Sequence, residues 1–153
     1  MSTIRERVAR AAEAGLTVRN LDIAARNAGL EAIAVALQAR SAEIAQANSA
    51  DLERAEESGL AAPLYKRLTF DEKKLAHTVT GVRSVGELSD PVGHVLSRRE
   101  LDTGLILTQK STPIGVIAMI FESRPDALVQ IASLALKSGN ALVLKGGSEA
   151  AES

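Results

Sequence analysis

The stretch from Pro113 to Glu149, "PIGVIAMIFESRPDALVQIASLALKSGNALVLKGGSE", constrains the fold more than any other part of the chain. Two apolar runs, "GVIAMIF" (Gly115 to Phe121) and "ALVLK" (Ala141 to Lys145), flank the amphipathic "DALVQIASLALKSG". Short apolar runs bounded by turn residues predict strands, and the unbroken apolarity of the first predicts a strand covered on both faces. Pro125 suits the first turn of the helix between them, Asp126 complements its dipole, and Ser138-Gly139 closes it. Strand, helix and strand within about thirty residues make a βαβ unit. Such a unit has parallel strands and a right-handed crossover.

The sequence ahead of this unit has a different period. From Ile4 to Leu88 it is predicted to be mainly helical, with Leu30, Ile33, Leu37 and Ile44 at helical spacing. Asn48 and Ser49 are expected to interrupt the pattern and cap a short helix through "ADLERAEE", which Ser58-Gly59 would end. "TFDE" (Thr69 to Glu72) has the form of a capping box, opening a helix whose apolar side is Leu75, Val79, Val82 and Val85. "SDPVG" (Ser89 to Gly93) breaks the helical pattern and starts a loop-and-strand segment, 89–112. There "GLILTQKST" (Gly104 to Thr112) predicts a strand, and Arg98-Arg99-Glu100 a solvated loop. The expected fold class is α/β, a helical N-terminal half followed by part of a parallel sheet.

Composition removes several classes of function. The 153 residues suffice for one domain with a core, and 46% hydrophobic with 24% charged residues is a globular balance. Aromatic residues are only 2%, so the core must be aliphatic. A net charge of -1 and an isoelectric point near 6.1 give no general attraction to nucleic acid or to an anionic membrane. No apolar run approaches the roughly 18 residues of a membrane span, and "MSTIRERVARAAEAG" lacks the apolar centre of a signal peptide. The expected compartment is the cytoplasm. There is no cysteine, hence no disulfide, no thiolate-bound metal and no thiol nucleophile within these residues. His77 and His94 are too isolated for a zinc site and are taken as ordinary surface residues.

Chemistry in an open parallel sheet gathers at the carboxyl ends of the strands. One end carries Glu122, Ser123 and Arg124 at the opening of a helix, where free N–H groups favour an anion. The other carries Lys145, Gly146, Gly147 and Ser148, where glycines admit close approach and the lysine or serine can bind ribose hydroxyls or phosphate. Each has a plainer explanation: a surface lysine, a glycine turn, a serine N-cap, a solvated arginine at a helix start. "KGGS" has neither the spacing of a Walker loop nor that of a dinucleotide fingerprint. The residues alone reach an α/β domain with an anion or nucleotide site.

Together, "DPVGHVL", "LDTGLILTQKSTPIGVI", "ESRPD" and "LKSGNALVLKGGSEA" resemble the gamma-glutamyl phosphate reductases, a branch of the aldehyde dehydrogenase superfamily, over essentially the whole chain. General aldehyde dehydrogenases have Trp-Asn-aromatic-Pro where this chain has Glu-Ser-Arg-Pro, and Lys-Pro where it has Lys-Gly-Gly. The resemblance implies a Rossmann-like sheet of the aldehyde dehydrogenase fold, with 1–153 forming the N-terminal part of an NADP-binding domain. It implies reduction of L-glutamate 5-phosphate with NADPH to L-glutamate 5-semialdehyde and phosphate, the second step of proline synthesis from glutamate. A cysteine thiolate would expel the phosphate before hydride transfer.

Carried over by position, Lys145 would hold the adenosine ribose, with Gly146 and Gly147 beside it. Ser148 would stand where a glutamate otherwise repels a 2′-phosphate, which suits NADP. Ser123 would donate to the oxyanion and Arg124 would steady the substrate phosphate. The family's chains are well over twice as long and place their cysteine further on, so an N-terminal fragment without activity of its own is expected, homo-oligomeric when full length. Two other readings stand beside this one: another aldehyde dehydrogenase branch, and a stand-alone nucleotide-binding or interaction module without catalysis. An arginine beside the serine favours a phosphorylated substrate over a free aldehyde.

Overall fold

The computed structural model describes residues Thr3 to Glu152. Five helices come first: α1 (Ile4–Val18), α2 (Ile23–Ala39), α3 (Ser41–Glu57), α4 (Ala62–Leu68) and α5 (Glu72–Glu87). A hairpin of β1 (Val95–Asp102) and β2 (Leu105–Lys110) follows, then β3 (Val116–Ile120), α6 (Pro125–Lys137), β4 (Ala141–Lys145) and a 3₁₀ turn at Ser148–Ala150. β3 and β4 pair in parallel, with Val116 opposite Ala141 and Ile120 opposite Lys145. The βαβ unit expected from the sequence is therefore present, and α6 starts at Pro125 and is C-capped by Ser138 as its signals require.

The core lies between α2, α5 and α6. Leu30, Ala34, Phe70, Leu75, Val79 and Val82 are buried together, with Ile33, Leu37, Ile44 and Val85 packed partly against them. Both apolar stripes seen in the sequence thus face one another. Each of the buried Leu, Val and Phe side chains contributes about 1.5–3 kcal/mol through burial. Close approach of α2 to α6 occurs at Gly29, where a Cβ would lie 3.1 Å from the Leu136 side chain.

Polar residues tie the core together. Arg26, 2% exposed, donates to both carboxylate oxygens of Asp90 at 2.8 and 2.7 Å and to the Lys137 carbonyl. Lys137, equally buried, donates to Asn27 Oδ1 at 2.9 Å and to the Gly86 carbonyl at 2.8 Å. The "SDPVG" break is thereby pinned to α2 and, through Lys137, to α6. Asn48 spans the α4–α5 link: its Nδ2 donates to the Leu68 carbonyl at 2.9 Å and its Oδ1 accepts the Phe70 N–H at 2.7 Å.

Four sequence expectations are corrected. α3 runs unbroken through Asn48 and Ser49, because Asn48 turns its amide inward to α4–α5 and Ser49 hydroxyl donates to the Ala45 carbonyl within the helix. Thr69 does not form a capping box; its hydroxyl donates back to the Tyr65 carbonyl, closing α4, and Asp71 caps α5 by accepting the Lys74 N–H at 2.8 Å. Insertion of Phe70 into the core moves the helix start two residues along. Arg98, Arg99 and Glu100 belong to β1, paired with Thr108, Leu107 and Ile106, and not to a loop. Lastly, β3 is not covered on both faces: Met119 is 38% and Ile120 82% exposed. α1 and α6 lie chiefly against β4, which leaves the end of β3 open.

Candidate functional site

The parallel pair fixes where the candidate residues go. The Phe121 N–H donates to the Lys145 carbonyl at 3.1 Å, one step beyond the Ile120–Lys145 pair. Glu122, Ser123 and Arg124 therefore leave the sheet at the same end as Gly146, Gly147 and Ser148. The shared rim expected of a parallel sheet is formed. Phe121, Ser123, Arg124, Pro125, Gly146 and Gly147 line one hollow of about 170 Å³ there, among others. A second, of similar volume, is lined by Leu60, Leu64, Arg67, Glu122, Ser123, Gly147 and Glu149.

The contacts show why these residue types stand here. A Cβ on Gly147 would lie 1.9 Å from Ser123 Oγ and 3.1 Å from the Ser123 backbone nitrogen. Gly147 has φ −68°, so close approach and not backbone conformation requires a glycine. At Gly146 the Phe121 ring lies 3.5 Å from the Cβ position. The Ser123 hydroxyl donates to the Glu149 carboxylate. That hydrogen bond, first, and the Lys145 charge, less, hold the Glu149 carboxyl below its ordinary range.

Arg124 N-caps α6 with its backbone only, and its guanidinium donates to Asp126 at 2.8 Å. Lys145 is exposed, with its ammonium donating to the Gly146 carbonyl at 2.7 Å. Ser148 is exposed in the 3₁₀ turn. Ser123, Arg124, Gly146 and Gly147 thus share one hollow, while Lys145 and Ser148 stand beside it on the β4 side.

Tertiary structure adds residues that the sequence did not single out. Arg67, from the last turn of α4, forms an ion pair with Glu122 and enters the second hollow. Glu149 joins through Ser123. Asp51, fully buried on α3, accepts the Glu152 N–H at 3.2 Å and so anchors the chain beyond the rim. The basic "YKRL" at the end of α4 was the one available signal for Arg67, and only folding brings it to Glu122. Among the described residues there is no cluster of His, Cys, Asp or Glu able to hold a metal, and no helix is long and apolar enough to cross a membrane.

No family model matches the sequence. Individual proteins do. A gamma-glutamyl phosphate reductase from a Cyanothece species is 52% identical over 144 residues, 94% of this chain and 33% of that protein. The one from Acetivibrio thermocellus is 49% identical over 150 residues, 98% of this chain and 35% of its own length. The crystal structure of gamma-glutamyl phosphate reductase from Saccharomyces cerevisiae superposes with a TM-score of 0.95 at 42% identity, over 99% of this chain and 39% of that one. The one from Thermotoga maritima gives 0.93 at 36% identity, over 97% and 36%. The chain spans about a third of the length of the curated relatives it matches. Over its own length, in sequence and in fold, this chain belongs with the gamma-glutamyl phosphate reductase family.

Proposed function

We propose that the chain supplies the strand-end rim of an NADPH-dependent reductase that converts L-glutamate 5-phosphate to L-glutamate 5-semialdehyde and phosphate. The observation that carries this reading is the junction of Ser123, Arg124, Gly146 and Gly147 at one end of the β3–β4 pair, in a chain that matches gamma-glutamyl phosphate reductases along nearly all of its length. The cofactor, when bound, supplies the hydride. Lys145 and Ser148 would hold it: Lys145 is exposed at the end of β4 and Ser148 in the turn that follows. The ammonium suits ribose hydroxyls, and a neutral Ser148 admits a 2′-phosphate.

Ser123 is the hydroxyl available to an oxyanion at the rim. In this structure it donates to Glu149, so donation to substrate requires exchange of that partner. Arg124 is exposed and its guanidinium pairs, among the described residues, with a neighbour two residues away, which leaves it able to turn to a phosphate. No cysteine occurs in the 153 residues, so these residues supply no thiolate of their own.

The test uses the complete enzyme that contains this chain, assayed with L-glutamate 5-phosphate and NADPH. Lys145→Ala is expected to raise the KM for NADPH about tenfold, the loss of one charge-assisted hydrogen bond, with little change in the KM for the acyl phosphate. Arg124→Ala is expected to do the reverse. Absence of turnover by the wild-type enzyme would overturn the functional reading, and unchanged KM values would remove the assigned roles.

A further inference from the structure

Where the last turn of α4 meets the start of α6, Pro63, Lys66, Arg67, Lys74, Arg124 and Asp126 line an open hollow of about 390 Å³. Four cations face one carboxylate there. Arg67 pairs with Glu122 and Arg124 with Asp126, all in contact with solvent. Lys74 is fixed by two backbone carbonyls, those of Lys66 at 3.0 Å and Thr69, and Lys66 and Lys74 form no ion pair among the described residues. The hollow therefore keeps two uncompensated positive charges next to two arginines whose solvent-exposed pairs are readily exchanged.

This arrangement is suited to a dianion. Arg67 and Arg124 offer planar forks that match phosphate oxygens, Lys66 adds a mobile charge and Lys74 a fixed one. The 13-residue helix α6 starts at the same place, and its positive end adds to the field. The hollow also joins the rim. Arg67 is shared with the hollow that Ser123 and Gly147 line, and Arg124 with the hollow that Gly146 and Gly147 line.

We propose that this α4–α6 hollow receives the phosphoryl group of the substrate, and holds it again as inorganic phosphate once it has left, with Lys66 and Arg67 as binding residues beside Arg124. The inference rests on the acyl-phosphate reading above and extends it to a site built mainly from the helical half. A nucleotide 2′-phosphate has the same chemistry. The substrate is favoured because neither Lys145 nor Ser148, at the end of β4, lines the hollow, whereas Arg124, next to Ser123, does. Selectivity for a phosphorylated acyl group over a free aldehyde would then be set in α4.

The 153-residue chain itself can be titrated with inorganic phosphate while backbone amide shifts are followed by NMR. Saturable shifts are expected at residues 64–67 and 124–127, weakened about tenfold or more in Lys66→Gln/Arg67→Gln and recovered in part by Lys66→Arg. Both side chains are exposed, so folding of the variants is checked by circular dichroism, and Lys66→Gln alone serves if the double variant does not fold. With 2′,5′-ADP the shifts are expected at residues 145–148. Phosphate shifts that are absent, lie elsewhere or survive the double substitution would overturn the proposal, and so would 2′,5′-ADP occupying residues 64–67.

In the complete enzyme the double variant is expected to raise the KM for the acyl phosphate about tenfold while leaving that for NADPH unchanged. An unchanged acyl-phosphate KM in an active enzyme sinks the site but not the reaction. An inactive wild-type enzyme sinks the reaction, and with it the assignment of the hollow to a substrate phosphoryl group.

Discussion

Replacement of Asp90 by Ala should release the clamp that holds the start of the hairpin segment to the core. Asp90 accepts two hydrogen bonds from the Arg26 guanidinium, at 2.8 and 2.7 Å, and one from the Val92 N–H at 2.9 Å. Arg26 is 2% exposed, so the substitution strands a buried charge that keeps, among the described residues, the Lys137 and Asp22 carbonyls as partners. Removing one member of a buried pair costs about 3–5 kcal/mol. The Asp90 side chain is 32% exposed, however, and water entering its place recovers part of that. The expected loss is about 2–3 kcal/mol. In a chain of this size that lowers Tm by about 5–10 °C and moves the urea midpoint down by about 1 M at unchanged slope.

The double-substitution cycle with Arg26→Met decides whether the pair is the cause, since the two losses should add to clearly more than that of the double variant. The pH dependence gives a second check. The Val92 N–H, first, and then Arg26 hold the Asp90 carboxyl below its ordinary value of 3.8. A depressed folded-state pKa means that the contribution is fully present above about pH 4 and is lost as pH falls through the lower folded value. The gap between wild type and Asp90→Ala should therefore narrow below about pH 4. A loss under about 0.5 kcal/mol at neutral pH, or strict additivity in the cycle, would refute the reasoning.

Two further outcomes follow from buried contacts. Asn48→Ala leaves the Leu68 carbonyl and the Phe70 N–H without their side-chain partner and should cost about 2–3 kcal/mol in urea unfolding; a loss within about 0.5 kcal/mol would show that water reaches both. Gly147→Ala drives a methyl group against Ser123 and should cost about 1–3 kcal/mol by overpacking, with part regained in Gly147→Ala/Ser123→Gly; an unshifted thermal midpoint would mean that the rim is not close-packed.

The βαβ unit was legible because its signals are local. Pro125, Asp126 and Ser138-Gly139 act within one turn of their own helix, and the two apolar runs needed only each other to form a parallel pair. The helical core was legible for the same reason, since Leu30, Leu75, Val79 and Val82 repeat with the helix period. Asn48, Ser49 and Thr69 misled because their side chains can serve a cap, a helix interior or a remote backbone group with equal ease. For Asn48 and Thr69 the choice follows from the burial of Phe70, whose N–H donates to Asn48. The hairpin strand β1 was missed because "VLSRRELD" is exposed on both faces and carries no alternation to detect.

Alone, then, the order of residues determined that two strands end together with Ser123-Arg124 on one and Lys145-Gly146-Gly147 on the other, because register in a parallel pair follows from which residues are apolar. Only the folded molecule decided what surrounds that end. Arg67 and Lys66 lie more than fifty residues upstream of Arg124, and Glu149 reaches Ser123 across the strand pair. Charges so far apart in the chain leave no periodic trace, and their meeting is set by how α4 packs on α3 and brings Arg67 to Glu122.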